Sequence, residues 1–439
     1  MNDYNIPKRL SAPLINSFTA GVVPRVGLEH VAVGRKPEIE AILHDMENIS
    51  AGGAAFRLIT GPYGSGKSFM LQMIRNNAMD RNFAVADADL TPERRLVGSK
   101  GQGLATYREL ISHLSTKTRP DGGALETVLQ KWILAIQQRV MQATELSIHD
   151  EQLNLEVEKQ IVEATEQMQN LVHGFDFAKV ITAYWKGHKL ADDVQKKAAL
   201  RWLKGEYATK TEARRELQVS VIIDDDNWYD YIKLWGEFVI QIGYQGLLIF
   251  IDEGVNLYKI TNAVSRQSNY EKLLTMFNDT MQGKAQYLGI FIGGTPQFVE
   301  DERRGLFSYE ALRSRLIDSR FSRSGYQNLS NPILKLEMLS HEEILLLLRK
   351  LTQIYSAHYG QPTNLSDDQM IRFMQTVMNQ LGAEQMLTTR EIVRDYMDLL
   401  HTLRQNTAAS FDQLLTELTG PTDSIKAEGN NLDFADFEL

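Results

Sequence analysis

One stretch limits what this chain can fold into: Arg57-Leu58-Ile59-Thr60-Gly61-Pro62-Tyr63-Gly64-Ser65-Gly66-Lys67-Ser68-Phe69-Met70. It reads as strand, glycine-rich turn and helix, and residues 61–68 fit G-x-x-x-x-G-K-[ST] at every fixed position. Gly61, Gly64 and Gly66 carry no Cβ, so the backbone can curl and aim its N–H groups at a phosphate. A helix starting near Lys67 adds its positive N-terminal end at the same place. Lys67 can reach the β- and γ-phosphates, and the Ser68 hydroxyl can bind Mg²⁺. The loop as a whole, with Pro62, Tyr63, Ser65 and Phe69 beside its fixed positions, is expected to hold ATP with Mg²⁺.

A second stretch, Leu247-Leu248-Ile249-Phe250-Ile251-Asp252-Glu253, is an apolar run bounded by Gly246 and ending in two acids. It predicts a buried parallel strand in the Walker B pattern. Asp252 is expected in the Mg²⁺ shell. Glu253, just past the strand end, is the expected base that polarises the attacking water. Further strands are expected at Ala54–Thr60, Phe83–Asp89, Tyr287–Pro296 and Asn331–Leu336. In a parallel α/β sheet the carboxyl ends of strands face the ligand crevice. That puts Asp87, Asp89, Arg94 and Arg95 either near the nucleotide or a partner subunit, or on a solvated loop.

Composition narrows the remaining classes. The chain has no cysteine, which excludes disulfides, thiolate zinc sites and cysteine nucleophiles. Its nine histidines are scattered, with no two at metal-ligand spacing. A net charge of −9 argues against a generally basic, nucleic-acid-coating protein and leaves room for a local basic groove. No apolar run approaches a membrane span and no signal peptide precedes Met1-Asn2-Asp3-Tyr4, so no membrane partner and a cytoplasmic location are expected.

The organisation expected is an N-terminal extension (1–32), the first part of an ATPase core (33–123), a helical insertion (124–241), the second part of the core (242–336), a helical lid (337–405) and an acidic tail (406–439). The insertion is read from apolar spacing of three and four, as in Leu125, Val128, Leu129, Trp132, Ile133, Ile136 and Val140. Asp224-Asp225-Asp226 reads as a solvated turn, since three adjacent side chains do not converge on one ion. Ser340-His341-Glu342-Glu343 reads as a capped helix start. In the tail, Leu432, Phe434, Phe437 and Leu439 alternate with acids. Residues 430–439 either dock a partner protein and are dispensable for catalysis, or fold back on the ATPase body, or have no role.

The ordered set of motifs resembles the AAA+ ATPases, which implies an α/β fold of three layers around a parallel sheet, a P-loop NTPase core with a helical lid. Gly34-Arg35, opening a helix upstream of the P-loop, resembles the element that forms part of the AAA+ adenine pocket. Thr295 holds the position of the polar sensor 1 residue. Six arginines crowd 303–323 against Glu310 and Asp318. Ser314-Arg315-Leu316 resembles the element carrying an arginine finger, with Arg315 reaching a neighbour's γ-phosphate and Arg313 and Arg320 as rivals. Arg390 sits where a lid places its sensor 2 arginine, with Arg394 one turn later as the alternative.

A narrower resemblance is to the BREX system ATP-binding family, the BrxD-like ATPases of bacterial anti-phage islands. It is carried by Gly61–Phe69, by Val85-Ala86-Asp87-Ala88-Asp89-Leu90-Thr91-Pro92-Glu93-Arg94-Arg95-Leu96, by Tyr107-Arg108-Glu109-Leu110 and by Thr118-Arg119-Pro120-Asp121-Gly122-Gly123-Ala124-Leu125. It continues less distinctly through Tyr309–Leu316 to the lid. The resemblance implies an ATP-hydrolysing, self-associating protein that couples nucleotide state to assembly of a phage-defence complex, with a helicase and DNA among its partners. Two rivals stand beside it: a slowly hydrolysing nucleotide-gated scaffold, and a DNA-binding loader of the initiator type.

Overall fold

The computed structural model describes residues 6–147, 149–169, 172–317, 328–361, 365–380, 388–406 and 408–419. They divide into two units, one spanning Val23–Glu343, the other drawn from Met1–Val22 and Ile344–Leu439. Arg320, Arg323 and the tail at 430–439 lie outside the described residues.

The larger unit is built on β1 (Ala54–Thr60), β2 (Ala84–Asp89), β3 (Leu247–Asp252), β4 (Leu288–Gly294) and β5 (Ile333–Lys335). These form a five-stranded sheet in the order β2-β3-β4-β1-β5, with every neighbouring pair parallel. A parallel sheet is covered on both faces, which is why β3 and β4 are written as unbroken apolar runs rather than alternating ones. Register brings Asp89 opposite Asp252, and Thr60 opposite both Gly294 and Lys335. All five strands therefore end along one edge.

On one face, α2 (Lys36–Ser50) and α3 (Lys67–Asp80) press Ile42, Met46, Leu71 and Ile74 against Ile59, Leu248, Phe250 and Phe291. The Phe250 and Phe291 rings stack with centroids 5.3 Å apart. On the opposite side, α4 (Gln102–Ser112) packs on β2 and α10 (Trp228–Gln241) on β3, and α5 (Leu125–Thr144), α6 (Glu151–Gln169), α7 (Gly174–Lys189), α8 (Asp193–Leu203) and α9 (Lys210–Leu217) extend the same layer. Here one core runs without a break from Leu247, Ile249 and Ile251 into Trp132, Trp185, Trp202 and Trp235. The helices of 124–241 thus share their hydrophobic core with the sheet instead of owning a separate one.

All five tryptophans lie in this helical block and all are buried. A buried indole N–H needs an acceptor. Trp228 donates to Leu96 O (2.9 Å), Trp202 to Val221 O (2.9 Å), Trp132 to Gln241 Oε1 (3.1 Å) and Trp235 to Tyr107 OH (3.2 Å). Asp225 has a structural task as well. Its carboxylate accepts from Gly101 N (2.9 Å) and Leu104 N (2.7 Å), capping the start of α4, while Asp224 folds the turn through Asp226 N and Asn227 N.

After β3 the chain forms α11 (Val255–Tyr258) and α12 (Ala263–Met281), and after β4 it forms α13 (Pro296–Glu300) and α14 (Glu310–Leu316). α15 (His341–Tyr359) then leads into the smaller unit. That unit is helical in its described residues: α1 (Lys8–Thr19) joins most of α15, α16 (Asp367–Gln380), α17 (Thr389–Gln405) and α18 (Phe411–Thr419). α1 buries Leu14 and Ile15, and its Ser11 and Thr19 hydroxyls meet His358 Nδ1 (2.8 Å) and His401 Nε2 (3.1 Å). The first helix of the chain belongs to the same unit as the last.

Candidate nucleotide site

β1 ends at Thr60 and the chain turns through 61–66 into α3, which begins at Lys67. Gly64 and Gly66 take φ of +84° and +89°, conformations that L side chains avoid, so the loop can only be drawn with glycine there. Lys67 Nζ donates to Gly61 O (2.9 Å) and Pro62 O (2.8 Å), which keeps the ammonium over the loop. Ser65 is buried and its Oγ has no hydrogen-bond partner, while Tyr63 is 70 % exposed. Phe69 packs at the margin of the α2–α3 core.

In the first turn of α3, Ser68 Oγ donates to Asp252 Oδ2 at 2.7 Å. This bond joins the P-loop helix to the end of β3. The other oxygen, Asp252 Oδ1, accepts the Glu253 N–H at 2.7 Å. Glu253 is exposed and has φ of +58°, an uncommon region for a residue with a Cβ. β4 passes close behind: a Cβ on Gly293 would collide with Asp252 Oδ1 and come within 2.9 Å of Leu71 Cδ1. Gly293 is the sequence trace of that close approach, while a Cβ on the neighbouring Gly294 would meet the Phe298 ring.

Asp89 ends β2 opposite Asp252. Its carboxyl is pushed above the usual aspartate range, first by burial, then by Asp252, Asp87 and, more weakly, Glu253; Arg94 works the other way. Asp89 therefore lies within electrostatic reach of Asp252 and Glu253. Asp87 turns elsewhere, accepting from Arg75 Nε at 2.8 Å on α3. Arg94 pairs with Glu109 at 2.6 Å. The Nε atoms of Arg94 and Arg95 are buried without a hydrogen-bond partner.

Thr295 follows β4, between the strands that carry the P-loop and Asp252, and its Oγ1 accepts from Phe298 N (3.3 Å) to cap α13. Arg35 Nη2 donates to Ser65 O (3.2 Å) and to Glu337 O, so it touches the P-loop through a backbone carbonyl. Gly34 precedes it with φ of +67°. Arg315 is exposed on α14, donating to Asn278 Oδ1 (3.1 Å) and Ala311 O (2.7 Å), and Arg313 pairs with Glu302 (2.7 Å). Arg390 is exposed in the first turn of α17, in the smaller unit, behind a capping box of Thr388 and Glu391. Arg394, one turn on, pairs with Asp395 at 3.3 Å.

Mg²⁺ takes oxygen ligands and is usually held by one or two protein groups plus phosphates and water. Ser68 Oγ and Asp252 Oδ2, side by side, fit that donor set. Among the described residues no group of three or more His, Cys, Asp or Glu converges to hold a metal by protein ligands alone. No described helix is long and apolar enough to cross a membrane.

The family model described as BREX system ATP-binding protein BrxC/D matches residues 6–419. Comparison with curated proteins finds no match.

Proposed function

We propose, from the premise that this chain belongs to the BREX system ATP-binding protein BrxC/D family, that it is an AAA+-type ATPase that turns ATP and water into ADP and phosphate. The observation that carries the reading is the 2.7 Å bond from Ser68 to Asp252, which unites the two nucleotide motifs at the carboxyl edge of a parallel sheet.

The backbone amides of 61–68 and Lys67 grip the phosphates, and Ser68 and Asp252 would hold Mg²⁺, which would supply charge neutralisation for the phosphates. Glu253 orients the attacking water and accepts its proton. Thr295 lies on the strand between the two motifs and contacts the γ-phosphate or the water. Gly34 and Arg35 sit against the nucleotide loop. Arg315 completes the site of a neighbouring copy, and Arg390 serves as the lid arginine. The product of the cycle is a change of assembly state in a phage-defence complex with DNA and a helicase partner.

The test separates grip from chemistry. Lys67→Ala should abolish ATP binding, while Glu253→Gln should bind ATP and lose phosphate release. Equal turnover in Glu253→Gln and the parent protein removes Glu253 as the base.

A further inference from the structure

The P-loop packs against a segment to which the nucleotide reading gives no task. Residues 336–343 follow β5 and lead to Ile344, where the smaller unit begins. Leu336 N donates to Thr60 O at 2.6 Å, immediately before the loop. A Cβ on Gly61 would stand 2.6 Å from Leu336 O, so the loop's first residue must be glycine for this approach. Arg35 then bridges the two segments by donating from Nη2 to both Ser65 O and Glu337 O. Beside it, a Cβ on Gly34 would collide with the Glu343 carboxylate. That carboxylate accepts Ser340 N at 2.8 Å and, with Glu343 N donating to Ser340 Oγ at 3.2 Å, forms the cap that starts α15. Two consecutive residues, Gly34 and Arg35, thus touch both ends of the connector, and Arg35 also touches the P-loop.

The charges around Arg35 leave a second arrangement open. Its side chain is 11 % exposed and lies 3.7 Å from Glu38 Oε1, too far for a hydrogen bond. Glu38 is itself buried, and its Oε2 has no hydrogen-bond partner. A buried carboxylate oxygen without a donor is costly, and a guanidinium–carboxylate fork is the stronger alternative to two carbonyl contacts. One buried guanidinium therefore has two competing sets of acceptors: the carbonyls of Ser65 and Glu337, or Glu38. An element with two discrete arrangements is what coupling between sites requires.

We propose that Arg35 is a positioning residue that couples phosphate occupancy of the P-loop to the connector 336–343. This rests on the ATP-binding reading above. When phosphate claims the loop's N–H groups, its peptide units turn, Arg35 passes from the Ser65 and Glu337 carbonyls to Glu38, and the connector is released.

Hydrogen exchange on the full-length protein, with and without ATP and Mg²⁺, tests this at two peptides, 61–70 and 336–343. In the parent protein ATP should slow exchange in 61–70 and speed it in 336–343 by about tenfold, the worth of one charge-assisted hydrogen bond. Glu38→Gln, which removes the alternative partner at constant shape, should keep ATP protection of 61–70 and lose the response of 336–343. Arg35→Ala should leave 336–343 exchanging fast with or without ATP, and Arg35→Lys, lacking the fork, should restore less than half of the response. An unchanged connector response in Glu38→Gln and Arg35→Ala overturns the proposal, as does a parent protein in which ATP protects 61–70 and leaves 336–343 unmoved. If ATP does not protect 61–70 at all, the ATP-binding reading itself falls, and the coupling falls with it.

Discussion

Ser68 donates to one oxygen of Asp252 while the other oxygen accepts the N–H of Glu253, each at 2.7 Å. A single carboxylate thereby fixes the start of α3 against the residue proposed as the base. Asp252→Asn replaces one of these acceptors with a donor. ATP affinity measured with Mg²⁺ should fall to the value measured in EDTA, and turnover should drop by about a hundredfold or more, the scale of misplaced catalytic groups. Retention of the Mg²⁺-dependent gain in affinity by Asp252→Asn would exclude it as a metal ligand.

Gly293→Ala probes the same carboxylate from behind. The added methyl must displace Asp252 Oδ1 or move β4. Phosphate release should fall at least about tenfold, with ATP binding reduced less, because the P-loop amides follow a different strand, β1. Parent-like turnover in a folded Gly293→Ala protein would show that the gap behind Asp252 is not needed.

Arg57 is a buried cation within β1. It forms a two-pronged pair with Asp45 on α2, at 2.6 and 2.8 Å, and donates to Leu329 O (2.8 Å) and Asn331 O (2.6 Å) ahead of β5. Arg57→Ala strands a buried carboxylate and two carbonyls, and should destabilise the larger unit by about 3–5 kcal/mol in denaturant unfolding. Arg57→Met combined with Asp45→Leu should recover part of that loss, because no charge is left unpaired.

The smaller unit should weaken in mild acid. Thr19 Oγ1 donates to Ile15 O, so His401 Nε2 donates to Thr19, and His401 Nδ1 accepts from Tyr355 OH, which accepts in turn from Arg404 Nε. The ring is neutral in this chain of bonds. Burial and then Arg404 lower its pKa below the usual histidine value, with Asp398 opposing; His358 is lowered by burial and Lys8. A lowered folded-state pKa means that the unfolded chain binds more protons below about pH 6.5. Stability is therefore complete above that pH and is lost as pH falls toward the folded-state values. Thermal unfolding from pH 8 to 5 should show this slope, and His401→Gln should flatten it.

Arg315 is assigned a role across an interface, and subunit mixing checks it. Arg315→Ala and Glu253→Gln proteins, each inactive, should regain part of the turnover when mixed, because one kind of interface keeps both residues. Proven hetero-assembly without recovered turnover would count against a trans role.

The glycine-rich turn at 61–66 and the apolar strand β3 were legible because each is written locally. Glycine at fixed spacing makes the turn, and an unbroken apolar run ending in acids makes a doubly covered strand. The helical character of 124–241 was legible from periodicity, but its destination was not. Spacing shows that Trp132 and Ile136 share a face, and cannot show that this face continues into Ile249 and Ile251. Asp225 looked like part of a hydrated acidic turn because its partners, Gly101 and Leu104, are more than a hundred residues earlier in the chain. Asp89 could be placed near the crevice by its strand end, whereas its pairing with Asp252 depends on strand order. The arginines beyond β4 are the least decidable: several fit the same local pattern, and their roles depend on which element, or which neighbouring copy, they reach.

The packing of α1 against helices from the other end of the chain also sets an order of events during synthesis. Leu14 and Ile15 are made long before His358 and His401, whose contacts with α1 come more than three hundred residues later. Residues 23–343 form a unit that can close while α1 still waits, since domains generally fold as units as they emerge. Until α17 is released, α1 lacks its His401 contact and the cover that α17 gives it. A nascent chain stalled before 389 would thus carry residues 23–343 complete and α1 still without its α17 partner.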